Sequence, residues 1–463
     1  MSTPSHINPG ALREYDVRGI VGTTLDARDA YAIGRGFATC IRRGGGTRVA
    51  VGRDGRLTSP MLEAAVIEGL TASGVDVVRI GLGPTPMLYH AERLLEVDGG
   101  LQVTGSHNPA EYNGFKLVQA HRSFFGAAIQ GLATMAAAAD WSEGAGTVTD
   151  ADMLDAYVGR LLSGYAGGTF RIAWDCGNGA AGPAIARLVA QLPGEHHLLF
   201  AEVDGTFPHH HPDPSIEANL ADLKRVVAER KLEFGVAFDG DGDRIGAIDG
   251  AGRVIWGDQL LSILAEPVLG AHPGATIVGD VKASRTLFDR IAALGGRPVM
   301  WKSGHSLMKE KMVETGAMLG GEMSGHIFFG EAQGGFDDAP YAAVQLIRAI
   351  HLSGGSLAQL RDALPSLVAS PEIRLPVDEA RKFGIVAGVL ARLEAQGAAI
   401  DRTDGARVTT ADGWWLLRAS NTEPALTLRA EAPDQAGLDR LLAAIETQLN
   451  AEGVSLLSPV DPR

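Results

Sequence analysis

One short unit recurs along this chain: an apolar strand stops at a polar glycine/aspartate turn, and a helical pattern follows. The unit occurs three times, in "TRVAVGRDGR" (47–56), "FRIAWDCGNGAAG" (170–182) and "ATIVGDVKAS" (275–284). The turn aspartates Asp54, Asp175 and Asp280 recur at about one domain length. Alternation of strand and helix predicts largely parallel sheets with helices on their faces. We therefore expect three α/β domains of similar layout.

The C-terminal part of the chain has a different pattern. The stretch "GWWLLRASNTEPALTLRAEA" predicts two strands around a turn, and "DQAGLDRLLAAIETQLNAEG" predicts a helix after them, which together indicate an α+β domain. Polar stretches rich in glycine or proline separate the segments. We expect three α/β domains with mixed, largely parallel sheets over residues 1–150, 151–256 and 257–369, and an α+β domain over 370–463.

The charge balance excludes several classes of partner. The 463 residues carry a formal net charge of −14 at pH 7, whereas nucleic acids and anionic membranes attract proteins with a positive surface. Two cysteines, Cys40 and Cys176, are too few and too far apart for a disulfide framework, which favours a reducing compartment. The sequence has no secretory signal pattern and no apolar run long enough for a membrane span. We expect a cytoplasmic protein without nucleic-acid or membrane partners.

An acidic loop follows the apolar strand in "FGVAFDGDGDRIGAID". Asp239, Asp241 and Asp243 alternate with glycines, which let the backbone curl and turn the carboxylates inward. Carboxylates held that close repel one another unless a cation lies among them, and Mg²⁺ is the default hard cation for oxygen ligands. The EF-hand calcium pattern does not fit, because Arg244 and Gly250 stand where it needs glycine and glutamate. The loop predicts a magnesium site.

Two further polar loops end apolar runs in the repeated domains. "VTGSHNPAEYNGFK" places Ser106 between a glycine and a histidine, and "GGEMSGH" joins Glu322, Ser324 and His326. A carboxylate with a hydroxyl beside it offers the paired acceptor and donor that adjacent sugar hydroxyls need. Together with Asp239, each α/β domain thus offers one polar loop. We expect the three loops to meet in one place.

Several stretches predict an anionic ligand. The strongest is "LRASNTEP", whose guanidinium, hydroxyl and amide groups suit a phosphate dianion, together with the N–H groups of a tight turn. Its candidate residues are Arg418, Ser420, Asn421 and Thr422. Four single candidates come from other stretches: Arg18, Lys116, Lys282 and His305. Each of these alone is equally typical of an ordinary surface residue.

In combination, these residues predict phosphoryl transfer. A serine beside a divalent ion is a poor nucleophile for water but a suitable phosphate carrier, because its phosphate would supply an oxygen ligand to the metal. Ser106 would then complete the metal shell that the three loop aspartates leave open. Arg244 and Lys116 would share the neutralisation of charge as the phosphoryl group moves between oxygens.

The motifs "YDVRG", "TGSHNPAEYNGFK", "DGDGDR", "GEMSGH" and "RASNTEP" occur in this order. With them the chain closely resembles, over essentially its whole length, the α-D-phosphohexomutase family and its bacterial phosphomannomutase/phosphoglucomutase branch. The resemblance implies four domains around a central active-site cleft and phosphosugar substrates. It also implies phosphoserine at Ser106, Mg²⁺ on the aspartate loop, sugar contacts from Glu322 and Ser324, and a phosphate site at the Arg418 loop. Tyr15 and His326, within the first and fourth motifs, are expected to contact substrate.

The resemblance further implies a reaction cycle. Phosphoserine 106 would give its phosphoryl group to a hexose phosphate, and the resulting 1,6-bisphosphate would turn in the cleft and return its other phosphate. Glucose 1,6-bisphosphate would thus serve as intermediate and activator. The proton carrier stays open among Lys116, His305, Arg18 and His107. The oligomeric state also stays open, with a monomer as one expectation.

Three alternatives remain at this point. Phosphoglucosamine mutases belong to the same family, but they tend to carry glutamine where this chain has Met323, which favours mannose and glucose phosphates here. An aspartyl nucleophile at Asp239 is suggested by "FDGD" after an apolar strand. A non-catalytic sugar-phosphate-binding protein is the third alternative, although a metal loop beside a serine serves no binding need.

Overall fold

The computed structural model describes residues 7–456, in which three mixed sheets are followed by an antiparallel one. The strands of the first sheet are β1 (Val17–Ile20), β2 (Arg48–Arg53), β3 (Asp76–Leu82), β4 (Gly99–Val103), β5 (Tyr112–Gln119), β6 (Arg122–Ser123) and β7 (Val148–Asp150). Its helices are α1 (Ala27–Arg43), α2 (Ser59–Ala72), α3 (Thr85–Leu94) and α4 (Ala127–Ala138). The strand order is β1-β5-β4-β2-β3-β7, and β6 pairs with β5. Pairs among β4, β2, β3 and β7 are parallel, and those made by β5 are antiparallel.

The second sheet has five strands in the order β12-β11-β10-β8-β9. They are β8 (Phe170–Asp175), β9 (Gly194–Leu199), β10 (Phe234–Phe238), β11 (Ile245–Asp249) and β12 (Val254–Ile255). Its helices are α5 (Leu154–Ser163), α6 (Gly182–Val189) and α7 (Ala221–Arg230). Strand β8 is parallel to both of its neighbours, β10 and β9, and β11 is antiparallel to β10.

The third sheet has four strands in the order β14-β13-β15-β16. They are β13 (Thr276–Asp280), β14 (Arg297–Trp301), β15 (Leu319–Gly321) and β16 (Ile327–Phe329). Its helices are α8 (Gly257–Ala271), α9 (Arg285–Ala293), α10 (His305–Thr315), α11 (Ala339–Ser353) and α12 (Leu357–Asp362). Here β13 is parallel to both neighbours, and β16 is antiparallel to β15.

The three sheets share one four-strand core, as the repeated sequence unit predicts. The cores are β5-β4-β2-β3, β11-β10-β8-β9 and β16-β15-β13-β14, each with parallel pairs at the centre and an antiparallel edge. Strands β4, β10 and β15 are buried along their whole length, which explains their near-continuous runs of apolar and small residues. The loops that follow these strands hold Ser106, Asp239 and Glu322. Equivalent loops therefore leave equivalent strands in all three domains.

The fourth sheet is entirely antiparallel, with the order β17-β22-β21-β20-β19 and β18 paired to β22. Its strands are β17 (Val368–Ala369), β18 (Ile373–Pro376), β19 (Ala399–Asp401), β20 (Ala406–Thr410), β21 (Gly413–Ala419) and β22 (Ala425–Ala432). Its helices are α13 (Lys382–Ala395) and α14 (Gln435–Asn450). The predicted strand pair and C-terminal helix are β21, β22 and α14. The observed α/β, α/β, α/β, α+β order confirms the expected fold class.

Buried apolar side chains join the second and third domains in one large cluster, whereas the fourth domain has a separate core. One cluster of buried side chains runs from α5 and β8 through α8 and α11, and it includes Met87 and Leu88 of α3. The fourth domain has its own core around Trp415 and Leu428. No helix within residues 7–456 is long and apolar enough to cross a membrane.

Candidate active site

Ser106 follows β4 and faces the acidic loop of the second domain. The residue is 2% exposed, and its hydroxyl Oγ donates to Asp239 Oδ2 over 2.9 Å. His107 Nδ1 lies 3.2 Å from the same hydroxyl oxygen. Burial, reinforced by Arg244 and Arg18, lowers the pKa of His107 well below its usual value, so the imidazole is neutral. The serine is thus held between a carboxylate and a neutral imidazole.

The three loop aspartates form a buried cluster around Lys116. Asp239, Asp241 and Asp243 are fully buried, and one oxygen of each lies within 4.8 Å of the others. Lys116 of β5 donates to Asp241 Oδ2 over 2.7 Å and also to Asp243 Oδ2. Burial alone would lower the pKa of Lys116, but the carboxylates outweigh it and raise that pKa. Burial and mutual repulsion raise the pKa of Asp239.

This cluster fits a hard divalent cation. Its ligand atoms are carboxylate oxygens, which Mg²⁺ prefers, and Asp241 Oδ1 is buried without a hydrogen-bond partner among the described residues. A second group, formed by Asp243, His326 and Asp337, also has the spacing of a metal site. In that group His326 Nε2 already lies between the carboxylates, 3.3 Å from Asp243 Oδ1 and 4.0 Å from Asp337 Oδ2. The first group is therefore the better candidate.

The loop after β15 is linked to the acidic cluster through His326. Its Nδ1 atom lies 2.9 Å from Glu322 Oε2, and its Nε2 atom lies 3.3 Å from Asp243 Oδ1. Burial alone would lower the pKa of His326, but Asp243 and Glu322 raise it to about 9. Ser324 Oγ is 3.2 Å from His326 Nδ1, and Glu322 Oε1 accepts from the backbone N–H of Gly304 over 2.6 Å.

Two arginines bring positive charge to the Ser106 loop. Arg18 of β1 donates to the backbone oxygen of Gly105 over 3.2 Å and pairs with Asp16. The backbone N–H of Arg244 donates to Asp239 Oδ1 over 3.1 Å. Burial opposes the charge of the Arg244 guanidinium, but nearby carboxylates outweigh burial and raise its pKa. Both guanidinium groups lie close enough to His107 to lower its pKa.

The turn between β21 and β22 holds the predicted anion-binding residues. Arg418 Nε donates to Asp404 Oδ2 over 2.8 Å, and the same carboxylate oxygen accepts from the backbone N–H of Ser303 over 3.2 Å. Ser420 Oγ accepts from the backbone N–H of Glu423 over 3.1 Å, and Thr422 is exposed. The turn therefore lies against the start of α10 in the third domain.

Tyr15 connects three domains through its hydroxyl group. Its hydroxyl donates to the backbone oxygen of Ser303 over 3.0 Å and accepts from Asn421 Nδ2 over 2.6 Å. The His305 ring lies 5.9 Å from the Tyr15 ring and 5.7 Å from the His326 ring. Burial and nearby lysines lower the pKa of His305 well below its usual value. First-, third- and fourth-domain candidates thus meet around one phenol.

Lys282 lies at the junction of the third and fourth domains. Its Nζ atom is 3.0 Å from Glu372 Oε2 and 3.9 Å from Asp280 Oδ2. The ammonium group lowers the pKa of Glu372 to about 2. Most of the predicted site residues therefore contact one another or share partners across the four domains, whereas the hydrogen bonds of Ser420 and Thr422 stay within their own turn.

Sequence reasoning missed three residues of this region: Arg56, Glu372 and Asp404. Each makes a contact with a residue 50 to 101 positions away in the chain, which no local pattern marks. Arg56 stands in the repeated turn "GRDGR", but the repeated pattern singles out only Asp54 of that turn.

The contacts alone define a class of protein: a four-domain chain whose loops bring a buried serine, a carboxylate cluster and cationic groups together. Family models for phosphoglucomutase/phosphomannomutase match in chain order, namely α/β/α domain I (10–140), domain II (155–252), domain III (256–368) and the C-terminal domain (372–448). The phosphomannomutase/phosphoglucomutase of Pseudomonas putida is 43% identical, with 96% of this chain and 97% of that protein covered.

Solved structures give the same result. A phosphoglucomutase/phosphomannomutase family protein from Burkholderia thailandensis has a TM-score of 0.91 and 41% identity, with 96% of this chain and 98% of that chain covered. An Aspergillus fumigatus N-acetylphosphoglucosamine mutase, solved with GlcNAc-6P and magnesium, shares the fold at 15% identity and a TM-score of 0.66, over 96% of this chain and 97% of that chain. The present chain belongs to the phosphoglucomutase/phosphomannomutase family of α-D-phosphohexomutases, which are isomerases.

Proposed function

We propose that this enzyme interconverts the 1-phosphates and 6-phosphates of mannose and glucose, through phosphoserine at Ser106 and a hexose 1,6-bisphosphate. The relatives that bear both names and share more than two fifths of its residues support this substrate class. The observation that carries the proposal is the placement of Ser106 Oγ, 2.9 Å from Asp239 Oδ2, where loops of three domains meet.

The metal in this proposal is Mg²⁺, held by Asp239, Asp241 and Asp243 with an oxygen of Ser106 or its phosphate. When bound, it would neutralise the charge that develops on the transferred phosphoryl group. Lys116 and Arg244 share that neutralisation, because both keep their positive charge despite burial.

In the transfer step, the phosphoryl group moves from one oxygen atom to another. A sugar hydroxyl oxygen attacks phosphorus in line, the bond from phosphorus to Ser106 Oγ breaks, and the sugar proton is lost while Oγ regains one. His107 Nδ1 lies 3.2 Å from Ser106 Oγ, and the His305 ring lies 5.7 Å from the His326 ring. We propose that one of these two histidines carries the proton.

The rest of the cleft holds whichever end of the sugar is not reacting. Glu322, Ser324 and His326 would bind ring hydroxyls, and the Arg418 turn would bind the distal phosphate, with Lys282 and Tyr15 beside it. After the first transfer the bisphosphate turns around, so that its other phosphate faces Ser106. The separate core of the fourth domain supports such a rearrangement, because this domain can loosen without unfolding.

The experiment is the intact mass of the enzyme before and after incubation with glucose 1,6-bisphosphate and Mg²⁺, followed by peptide mapping. One phosphate on Ser106, absent from Ser106→Ala, is the expected result. A phosphate on Asp239 would contradict the proposal, as would equal turnover of a 2-amino-sugar phosphate for its substrate class. Phosphosugar binding with no phosphate on any residue would favour a non-catalytic binding protein.

We also propose domain limits after residues 150, 256 and 369. Strand β7, which pairs with β3 of the first sheet, ends at Asp150, and α8 of the third domain begins at Gly257. The last limit falls directly after β17 (Val368–Ala369), which pairs with β22, so the fourth sheet begins two residues before this limit.

A further inference from the structure

Arg56 is a fully buried arginine beneath the Ser106 loop. Its side chain is 0% exposed. One terminal nitrogen, Nη2, donates to the backbone oxygens of Ser106 over 2.7 Å and Asn108 over 2.6 Å. The other, Nη1, donates to the backbone oxygens of Pro109 over 2.5 Å and Tyr112 over 3.0 Å. A single guanidinium therefore binds four carbonyl groups of the segment that carries the serine.

The guanidinium is itself fixed from two sides. Arg56 Nε lies 3.2 Å from Asp54 Oδ2, and the ring of Phe207, from the second domain, lies 5.1 Å from its Cζ atom. Asp54 Oδ2 also accepts from Thr104 Oγ1 over 2.8 Å and from the N–H of Gly105 over 3.1 Å. The buried carboxylate thus joins the arginine to the start of the serine loop.

The backbone at Ser106 needs such support. Its φ is +48°, in the left-handed region that residues other than glycine seldom adopt. The N–H of Ser106 donates to Thr104 Oγ1 over 2.8 Å, so the same contacts reach the strained residue. At Gly105 a Cβ atom would lie 2.4 Å from Arg56 Nε, and this close approach requires glycine.

We propose that Arg56, held by Asp54, is the positioning residue that fixes Ser106 Oγ toward the acidic cluster for phosphoryl transfer. The inference rests on the proposed role of Ser106 as phosphoryl carrier. Arg56 acts through the loop backbone, since its hydrogen bonds go to main-chain oxygens and leave the sugar-binding candidates untouched. Its loss should therefore lower the rate of transfer and leave substrate affinity nearly unchanged.

The test is Arg56→Lys, which keeps the charge but replaces a planar fork by a single ammonium that cannot bind four carbonyls. We expect kcat to fall about 100-fold, the effect of misplacing a reacting group by about 1 Å, while KM stays within threefold. Phosphate incorporation at Ser106 from glucose 1,6-bisphosphate should slow by the same factor.

The matched control is Arg35→Lys. Arg35 is another buried arginine of the first domain, and it binds Ser142 and Glu143 beside α1. This control should keep kcat within twofold.

A second variant tests the same inference in case Arg56→Lys does not fold. Thr104→Val keeps the side-chain shape but removes the hydroxyl that joins Asp54 to the N–H of Ser106, and we expect a roughly tenfold lower kcat with unchanged KM. Wild-type kcat in both variants overturns the inference, as does an equal loss of kcat in Arg35→Lys. If the wild-type enzyme takes no phosphate on Ser106, the proposed function itself fails, and mass analysis of the wild type distinguishes that case.

Discussion

Lys116 supplies positive charge that compensates the buried carboxylates of the site. Its ammonium is 4% exposed and bonds to two of three carboxylates that are themselves fully buried. Charges taken out of water at this depth are tolerated only while they are paired, because the loss of one partner leaves the other uncompensated. The sequence identified both Lys116 and the aspartates, but their pairing joins residues 125 and 127 positions apart.

We predict that Lys116→Met destabilises the protein strongly when Mg²⁺ is absent. Removing one partner of a buried ion pair costs about 3–5 kcal/mol, and here the remaining aspartates also repel one another. Mg²⁺ should restore more stability to the variant than to the wild type, because the cation then supplies the missing positive charge. Denaturant unfolding with EDTA and with excess Mg²⁺ measures both effects.

The control for this prediction is Lys224→Met, which breaks a surface pair with Glu217. Exposed pairs contribute little, so the control should stay within about 0.5 kcal/mol of the wild type in both conditions. The same Mg²⁺ response in Lys116→Met and wild type would show that the ammonium and the cation do not share a site.

At the scale of elements, the strand-end aspartates of the first and third domains act as equivalent loop anchors. Asp54 binds Thr104 and Gly105 beside Ser106 in the first domain. Asp280 accepts from Ser303 Oγ over 2.8 Å and lies 3.4 Å from the backbone nitrogen of Met323, next to Glu322. Each aspartate ends a parallel strand whose neighbour carries the loop, so the repeated topology places anchor and loop together.

We predict that Asp280→Asn raises KM for sugar phosphates about tenfold and changes kcat less than threefold. An amide cannot replace both acceptor oxygens, and the loop that holds Glu322 would lose about one hydrogen bond, or about 1.4 kcal/mol of binding. Asp249→Asn is the matched control, because Asp249 is a buried strand-end aspartate that binds Ala251 and Arg253 away from the cleft. Steady-state kinetics of both variants would refute the anchor role if their KM values rose together.

The limit of sequence prediction is visible in these same elements. The strands before Ser106, Asp239 and Glu322 were predictable. A buried parallel strand needs an apolar run, and the glycine and polar residues that follow each run mark where the strand ends. Arg56 and Glu372, which contact the site over long distances in the chain, were not predictable. Arg56 resembles any charged turn residue until the fold places four carbonyl groups around it, and Glu372 stands in a segment with no motif.

At the scale of the whole molecule, the fourth domain meets the third through polar contacts and one small apolar cluster, in which Val281 packs against Trp414 and Leu416. Arg407 donates to the backbone oxygens of Val281 and Ala283, and Glu431 accepts from Ser284 Oγ over 2.9 Å. Tyr15 adds a hydrogen bond between the first and fourth domains through Asn421. This small junction contrasts with the continuous apolar cluster that joins the second and third domains.

The ion pair between Lys282 and Glu372 should make this attachment dependent on pH. Lys282 lowers the pKa of Glu372 from its usual 4.5 to about 2, so the folded protein favours the ionised carboxylate. A depressed acid pKa stabilises the folded state above the unfolded pKa, and this contribution is lost as the pH falls from 4.5 toward 2. One pKa unit corresponds to about 1.4 kcal/mol, so lowering this pKa from 4.5 to about 2 sets an upper bound of about 3 kcal/mol, and solvent screening of the partly exposed pair gives about 1–3 kcal/mol at neutral pH.

We predict that Glu372→Gln lowers the free energy of unfolding by about 1–3 kcal/mol at pH 7, and that its difference from wild type narrows below pH 4.5. Glu229→Gln, at an exposed pair with Arg225, is the control and should match the wild type at every pH. Denaturant titrations at steps between pH 7 and pH 3.5 measure the difference. A constant difference across that range would mean that Glu372 stabilises the domain junction by packing alone, since only the loss of a charged pair follows the protonation of the carboxylate.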